Sequence, residues 1–424
     1  MRRPSRPAFS ALGLILIGLG AAVTLQAQGV LPTPAPPSPS SASSEPPLTL
    51  AQAIDLALAA NPNLAAARLR QEVARAGVDV ARQRPNPELT LEESKETPHD
   101  AATLALPIET AGKRRRRIAL AEAQVASGQA GLARAVADIR ARVRRAFYAL
   151  AGAERRRAET AGVLQLVERT RDAARDRFTA GDVPRLDVVQ AELAVAQADN
   201  DLQSAEGSLG AARANLNTLL ARPPGAPIAV RADLWEGGVV DSATAARTAV
   251  TASTELMVLD RGIVEQRARI ALARAQTPDP TISGSVTHRA QPDFDWGWRA
   301  ALTLPLPFFT RRGAAVQVEE RTLAQLEAER KARTAEISGA VYAAAAAAAA
   351  QRQAALRFRD QILPQAEEVE RMAEDSYRSG QTGLPALLQA LQATRDLRLR
   401  AIQAGADYQN AVADLESAVG APLP

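Results

Sequence analysis

Apolar positions along the chain change period three times, and then the whole series repeats. From Leu50 to Arg82 they fall at helical spacing, opened by Thr49 as an N-cap and stopped by Pro85-Asn86-Pro87. Leu89 and Leu91, then Leu104, Leu106 and Ile108, alternate with period two, which predicts two short strands around a polar loop. After Leu106-Pro107 a helix of about 67 residues, roughly 100 Å long, is predicted from Lys113 to Thr179. Within it Leu132, Val136, Ile139, Val143, Ala146 and Leu150 alternate steps of four and three. The next helix is stricter still. Val188, Val195, Leu202, Leu209 and Leu216 recur every seven residues, with Ala191, Ala198, Ala205, Ala212 and Leu219 at the second seam position. A large residue facing alanine lets antiparallel helices approach closely, and the 3.5-residue period implies a left-handed supercoil.

The second half follows the same plan. A helical stretch from Ala243 to Ala275 ends at Pro278-Asp279-Pro280. Ile282 and Val286, then Trp296, Trp298, Ala300, Leu302, Leu304 and Leu306, predict a second hairpin. A second very long helix is predicted from Gly313 to Ser379, carrying the alanine tract Ala343 to Ala350. Each long helix ends in one motif, "RFTAGDVPRLDVVQAEL" from Arg177 and "SYRSGQTGLPALLQALQ" from Ser376. Phe178 matches Tyr377, Gly181 matches Gly380, and Gln190-Ala191 matches Gln389-Ala390 at a constant offset. Both copies finish alike, at Leu216-x-x-Leu219 before Pro223 and Leu415-x-x-Ala418 before Pro422. Two repeats, 48–223 and 241–424, are therefore expected, joined by 224–240. Each reads helix, hairpin, very long helix, sharp tip, helix.

Composition supports thin helices rather than several bulky cores. Hydrophobic residues are 46% of the 424, yet aromatic residues are only 3%, so much of the apolar content is small. Arg2, Arg3 and Arg6, an apolar run from Ala8 to Leu25, and small or polar residues up to Gly29 have the order of a secretory signal peptide (1–29). A retained anchor is the alternative, although the run is shorter than the ~20 residues of a spanning helix. Residues 30–47 are Pro/Ser-rich and read as a flexible lead-in. The formal charge of +4 includes those three arginines, leaving +1 (4 − 3), so a nucleic-acid partner is not indicated. With no cysteine, neither disulfides nor an N-terminal lipid anchor on Cys is expected.

The hairpins decide the setting. Four strands cannot close a barrel, and open strand edges do not survive in lipid, so several chains must complete one sheet. Two chains would supply eight strands, and three would supply twelve around a lumen. Trp296 and Trp298 suit an aromatic girdle at a membrane interface. A soluble hairpin on a periplasmic coiled-coil scaffold is the rival from another class.

With the duplicated plan, the Gly-centred tips and Pro305-Leu306-Pro307-Phe308-Phe309, the chain after Leu48 resembles the TolC family of outer-membrane efflux ducts. "PIETAGKRRRRIALAEAQ" from Pro107 and "LPLPFFTRRGA" are most similar to its heavy-metal, CzcC-like branch. The resemblance implies a mainly α protein with a small β part and a homotrimer. A twelve-stranded β-barrel would sit in the outer membrane above a coiled-coil α-barrel in the periplasm. It implies a passive exit duct, not an enzyme, with no cofactor. Its partners would be a periplasmic adaptor and a proton-driven inner-membrane pump, with divalent heavy-metal cations as cargo; drugs or secreted polypeptides are the alternative. Gly181, Asp182, Val183, Pro184 and Leu186, with Gly380, Gln381, Thr382, Gly383 and Leu384, would meet the adaptor. Asp187 and Tyr377 match the family's gate positions, where a carboxylate–phenol hydrogen bond would favour closure. Thr382 stands where the family has arginine, and Ala386 and Gln389 where it has acids, so the acidic constriction is not implied.

No catalytic or metal-ligating set is legible. His99 and His288 are the only histidines, and Glu92, Glu93 and Asp100 near His99 could hold a cation only weakly. The basic run Lys113 to Arg117 opposes a helix dipole and reads as a solvated face, or as contacts from Lys113, Arg114 and Arg115 to outer-membrane lipid headgroups. Glu109 carries no assigned chemistry, and Asp187 also suits a helix start.

Overall fold

The computed structural model describes residues 46–421 apart from 97–98, 239–240, 292–293 and 309–311. The expected signal sequence, most of the lead-in and Phe309 lie outside the described residues. The first half runs α1 (Leu50–Ala60), α2 (Pro62–Arg82), β1 (Glu88–Glu93), β2 (Asp100–Pro107), α3 (Lys113–Ala180) and α4 (Arg185–Leu219). The second runs α5 (Ser242–Ala252), α6 (Thr254–Ala275), β3 (Thr281–Gln291), β4 (Phe294–Thr303) and α7 (Arg312–Arg357). A π-helical turn (Phe358–Ile362), α8 (Leu363–Arg378) and α9 (Leu384–Val419) complete it.

Three expected helices are interrupted. Leu50–Arg82 breaks at Asn61, whose side chain caps α2 through the Asn63 amide and donates to the Leu219 carbonyl (2.8 Å). Pro62 at the first helical position fits that restart. Ser253 divides α5 from α6 in the same way, accepting from the Leu256 amide. The second long helix passes into a π-turn just before Pro364. Proline has no N–H to give the preceding turn, and a wider turn accommodates the missing bond.

The two hairpins form one antiparallel sheet, ordered β1-β2-β3-β4, with β1 and β4 at its open edges. Pairing of β2 with β3, Leu104 opposite Gly284, joins the halves. Beyond the sheet, α2, α3, α6 and α7 pack side by side in that order. Nearer the tips the neighbours are α4, α3, α9 and α8. In the α3–α4 seam Ala191, Ala198 and Ala205 are buried, while Val188, Val195, Leu202 and Leu209 are half-buried. Alanine occupies the line of closest approach, and the larger side chains close its flanks. Buried Ile139, Val143, Ala146 and Leu150 of α3 meet Leu216 and Leu234 in a core between the two zones. Leu48 forms a parallel bridge with Val230, and Gln409 donates to the carbonyls of Leu234 (3.1 Å) and Glu236 (2.7 Å). The connecting segment is thus bound across the helices rather than hanging between the halves. Ion pairs cross-link the thin layer: Arg398 bridges Glu159 of α3 and Glu370 of α8, and Arg395 meets Asp201 of α4.

Candidate functional site: the sheet, the joint and the tips

Register assigns each strand residue to one of two faces, since alternate side chains point oppositely. Cross-strand rows Leu89–Leu104–Gly284–Ala300 and Leu91–Ala102–Val286–Trp298 lie on one face. Leu106–Ile282–Leu302 continues it. The other face carries Glu88–Ala105–Ser283–Ala301 and Thr90–Thr103–Ser285–Arg299. Along β2 the apolar face is the exposed one and the polar face is half-covered. Leu91 is 73% exposed and Trp298 84%. This inverts the arrangement of a sheet in water, where apolar side chains seek cover. It is the outward-apolar, inward-polar arrangement of strands that line an aqueous lumen and face lipid. Trp296 lies one row nearer the hairpin loops, beside His288 with ring centroids 4.8 Å apart. His288 also meets Asp100 across the β2–β3 seam (3.1 Å). His99 Nδ1 lies 3.1 Å from the Ser94 carbonyl, and no three His, Cys, Asp or Glu converge among the described residues.

Below the sheet, Thr110, Ala111 and Gly112 turn the chain into α3, with both Ala111 (φ 55°) and Gly112 (φ 69°) left-handed. Part of the basic run is engaged within the chain. Lys113 pairs with Asp279 (2.7 Å) and donates to the Thr277 carbonyl, with its side chain largely covered. Arg114 donates to the Arg82 carbonyl (2.8 Å), and Arg117 to Ala81 (3.0 Å) and Gln83 (2.7 Å). These are the terminal carbonyls of α2 and its exit, groups that a helix leaves unpaired and cations satisfy. Arg117 also grips Glu109. Lys113 is therefore a largely covered brace, whereas Arg114, Arg115 and Arg116 are exposed. Glu109 and Asp279, neither identified as functional from sequence, complete a joint between the sheet and the helices. Its signal was the pair of Pro-x-Pro stops facing the Glu-Thr-Ala-Gly-Lys turn.

Burial alone would raise the Asp279 pKa, but hydrogen bonds from Lys113 and Thr110, with the Lys113 charge, hold it below the ordinary 3.8. A folded pKa below the unfolded one adds stability that is present above about pH 4 and lost as pH falls through the folded value. Asp279→Asn is expected to cost about 1.5–3 kcal/mol at neutral pH, the range of a hydrogen bond to a charged group. Thermal melts at stepped pH check this: the gap between variant and parent should close below about pH 4.

The two tips share one geometry. Gly181 (φ 85°) and Gly380 (φ 74°) are left-handed. Asp182 N–H donates to Arg177 (2.9 Å) and Gly181 N–H to Phe178 (3.0 Å). Gln381 and Gly380 repeat the pattern onto Ser376 (2.9 Å) and Tyr377 (3.1 Å). Asp182, Pro184, Leu186, Gln381, Thr382 and Gly383 are exposed, and Val183 is half-covered. Leu384 is the exception. It is 0% exposed and packs with Val167, Ala174 and Leu387, so it holds the tip together and presents nothing outward. The expected Asp187–Tyr377 hydrogen bond is also absent. Asp187 lies in the first turn of α4, where an acid suits the dipole, and the buried Tyr377 hydroxyl has no partner.

The described residues thus form a four-stranded open sheet with an exposed apolar face, carried on paired helices that end in two tips. The family model "Outer membrane efflux protein" matches residues 53–222. The cobalt-zinc-cadmium resistance protein CzcC of Cupriavidus metallidurans is 29% identical over 388 residues, covering 86% of this chain and 88% of that protein. Among solved structures, a membrane protein from Pseudomonas aeruginosa superposes with a TM-score of 0.74 at 21% identity, covering 88% of this chain and 92% of that one. The outer membrane protein VceC from Vibrio cholerae gives 0.71 at 17% identity, with 88% and 96% covered. Residues 53–222 are thus similar to the outer membrane efflux proteins, and the likeness to CzcC extends over most of the chain.

Proposed function

We propose that the protein is the outer-membrane exit duct of a tripartite efflux system and that it works as a homotrimer. The observation that carries this is the inverted sheet, whose exposed face is the apolar one. Its open edges β1 and β4 invite pairing with further copies, and three copies give twelve strands. The edge helices support the same closure. Leu69, Val73 and Val80 of α2 and Val318 of α7 are exposed, as are Leu186, Val189 and Leu193 of α4 and Val369 and Met372 of α8. A ring of chains would cover them.

In this reading the chain is exported with its N-terminal segment removed and reaches the outer membrane. The two repeats, 48–223 and 241–424, each give the ring one hairpin and one tip. Gly181 to Leu186 and Gly380 to Gly383 meet a periplasmic adaptor, which connects to a proton-driven inner-membrane pump. Trp296 and Trp298 lie in the lipid interface, with Arg115 near the headgroups. Divalent heavy-metal cations are the cargo, on the strength of the similarity to CzcC. The duct moves them passively.

Protein purified in detergent should sediment as a trimer and form pores in planar bilayers. A water-soluble monomer without conductance would sink the duct. Loss of the gene should lower tolerance to cobalt, zinc or cadmium; unchanged tolerance with drug sensitivity instead would reassign the cargo.

A further inference from the structure

An apolar cavity of about 510 Å³ lies where α1 and α3 of the first repeat meet α6 and α9 of the second. Leu50 and Ile54 of α1 and Val136 and Ala137 of α3 form its walls. They remain only half-covered, although Ala53 and Ile139 on the same helices are buried. Filling such walls with apolar atoms is favourable, because it removes their surface from water. Along α3 the lining runs from Ala133 to Arg144, roughly 16 Å at 1.5 Å per residue. Among the described residues the lining holds no aromatic ring to stack on a flat ligand. Aliphatic walls of this length suit a single acyl chain.

The end of the cavity nearer the tips is charged. Arg144 is paired with Glu416 (2.6 Å), and both side chains are largely covered. Arg140, one turn earlier on α3, is exposed and pairs with no carboxylate among the described residues. Glu416 is the one acid among the described lining residues, so the site carries an unmatched positive charge. The starts of α1 and α6 bring two positive helix ends to it, against one negative end from α9. A carboxylate answers that charge with a charge-assisted contact that a cationic head group cannot make. The lining on α3 begins 20 residues (133 − 113) beyond Lys113, so it lies roughly 30 Å along the helix from the sheet. Lipid around the sheet does not extend that far, and the ligand must arrive free. We propose that this cavity binds a single-chain anionic amphiphile, a free fatty-acid carboxylate, with its chain along Val136 and Ala137 and its head group on Arg140. Because both repeats contribute to the lining, such a ligand braces one against the other.

The test is photolabelling of the full-length protein in non-ionic detergent with dodecanoate carrying a diazirine at its chain end. Adducts should map to α1 and to residues 133–144 of α3. Excess dodecanoate should remove them, whereas dodecyltrimethylammonium at the same concentration should not. Arg140→Glu should cut this labelling at least about tenfold, because it turns attraction of the head group into repulsion. Arg140→Lys should keep most of it. Ala137→Phe should block labelling by filling the cavity, with a thermal melt to show that the variant is folded. Arg140 is exposed, so its variants keep the test decisive should Ala137→Phe not fold. Parent-like labelling in Arg140→Glu would overturn the site, as would equal competition by the cationic amphiphile. Adducts confined to the sheet would mean partition into the detergent alone, and would overturn it too. Labelling that appears only after an oligomer is dissociated would assign the cavity to a second copy. Labelling that appears only after residues 30–45 are deleted would assign it to the lead-in, and either result sinks the proposal. None of these readouts involves conductance or metal tolerance, so a failure of the duct reading is distinguishable from a failure of the site.

Discussion

Arginine placed at Val286 should abolish assembly into the membrane, whereas arginine at the adjacent Ser285 should leave it nearly intact. The two positions differ by one residue and by face. Val286 stands in the row Ala102–Val286–Trp298, on the exposed apolar side, midway along β3. Ser285 stands between Thr103 and Arg299 on the covered polar side. If the apolar face meets lipid, a guanidinium at mid-depth costs about 2–4 kcal/mol per chain, and a closed ring repeats the cost in every copy. On the lumen side the same group stays in water, beside a face that already holds Arg299. Fractionation of membranes and the proportion of heat-resistant oligomer give the measurement. Equal tolerance at both positions would remove the lipid-facing assignment of the sheet, and with it the case for a barrel.

That contrast was already visible in the period-two spacing of Leu104, Leu106, Ile282 and Val286, because strand alternation is a local property. The long helices and tips were legible for a similar reason. Proline and glycine punctuate them, and the tip motif occurs twice. What could not be read was pairing over distance. The β2–β3 seam joins Leu104 to Gly284, and nothing near either residue specifies the other. The basic run shows the same limit. Lys113, Arg114 and Arg117 find their partners only when the end of α2 and the Asp279 turn are brought against them. The helix breaks at Asn61 and Ser253 were hidden because small apolar residues keep their period on both sides. Pro364 was the overlooked warning in the second long helix. Leu384 was expected among the tip residues that meet the adaptor. It is instead the first residue of α9, buried against the first tip. The Asp187–Tyr377 hydrogen bond does not form, because the phenol is buried without a partner and its ring lies against the Arg177 guanidinium of α3.

Valine at both Gly181 and Gly380 should unmake the tips without disturbing the sheet. Nothing lies within 4 Å of a Cβ built on Gly181, and only Arg177 Nη2, at 3.9 Å, approaches one on Gly380. The cost is therefore conformational. At φ 85° and 74° an L-residue strains against its own carbonyl, by roughly 1–2 kcal/mol at each site, and β-branching makes valine a poor occupant. Asparagine visits this region more readily, so Gly181→Asn with Gly380→Asn should retain most of the tip. The Asp182 and Gln381 amides report the outcome directly, since each donates the bond that closes its turn. Hydrogen exchange at these amides should quicken at least tenfold in the valine pair, the loss of ~1.4 kcal/mol of local stability, and change little in the asparagine pair. Membrane integration should be normal in both, because the tips and the sheet lie at opposite ends of α3. If the tips dock the adaptor, metal tolerance should fall in cells carrying the valine pair and persist in those carrying asparagine. Full tolerance with unprotected tip amides would mean that docking does not depend on tip geometry, and that the adaptor engages the helices above it.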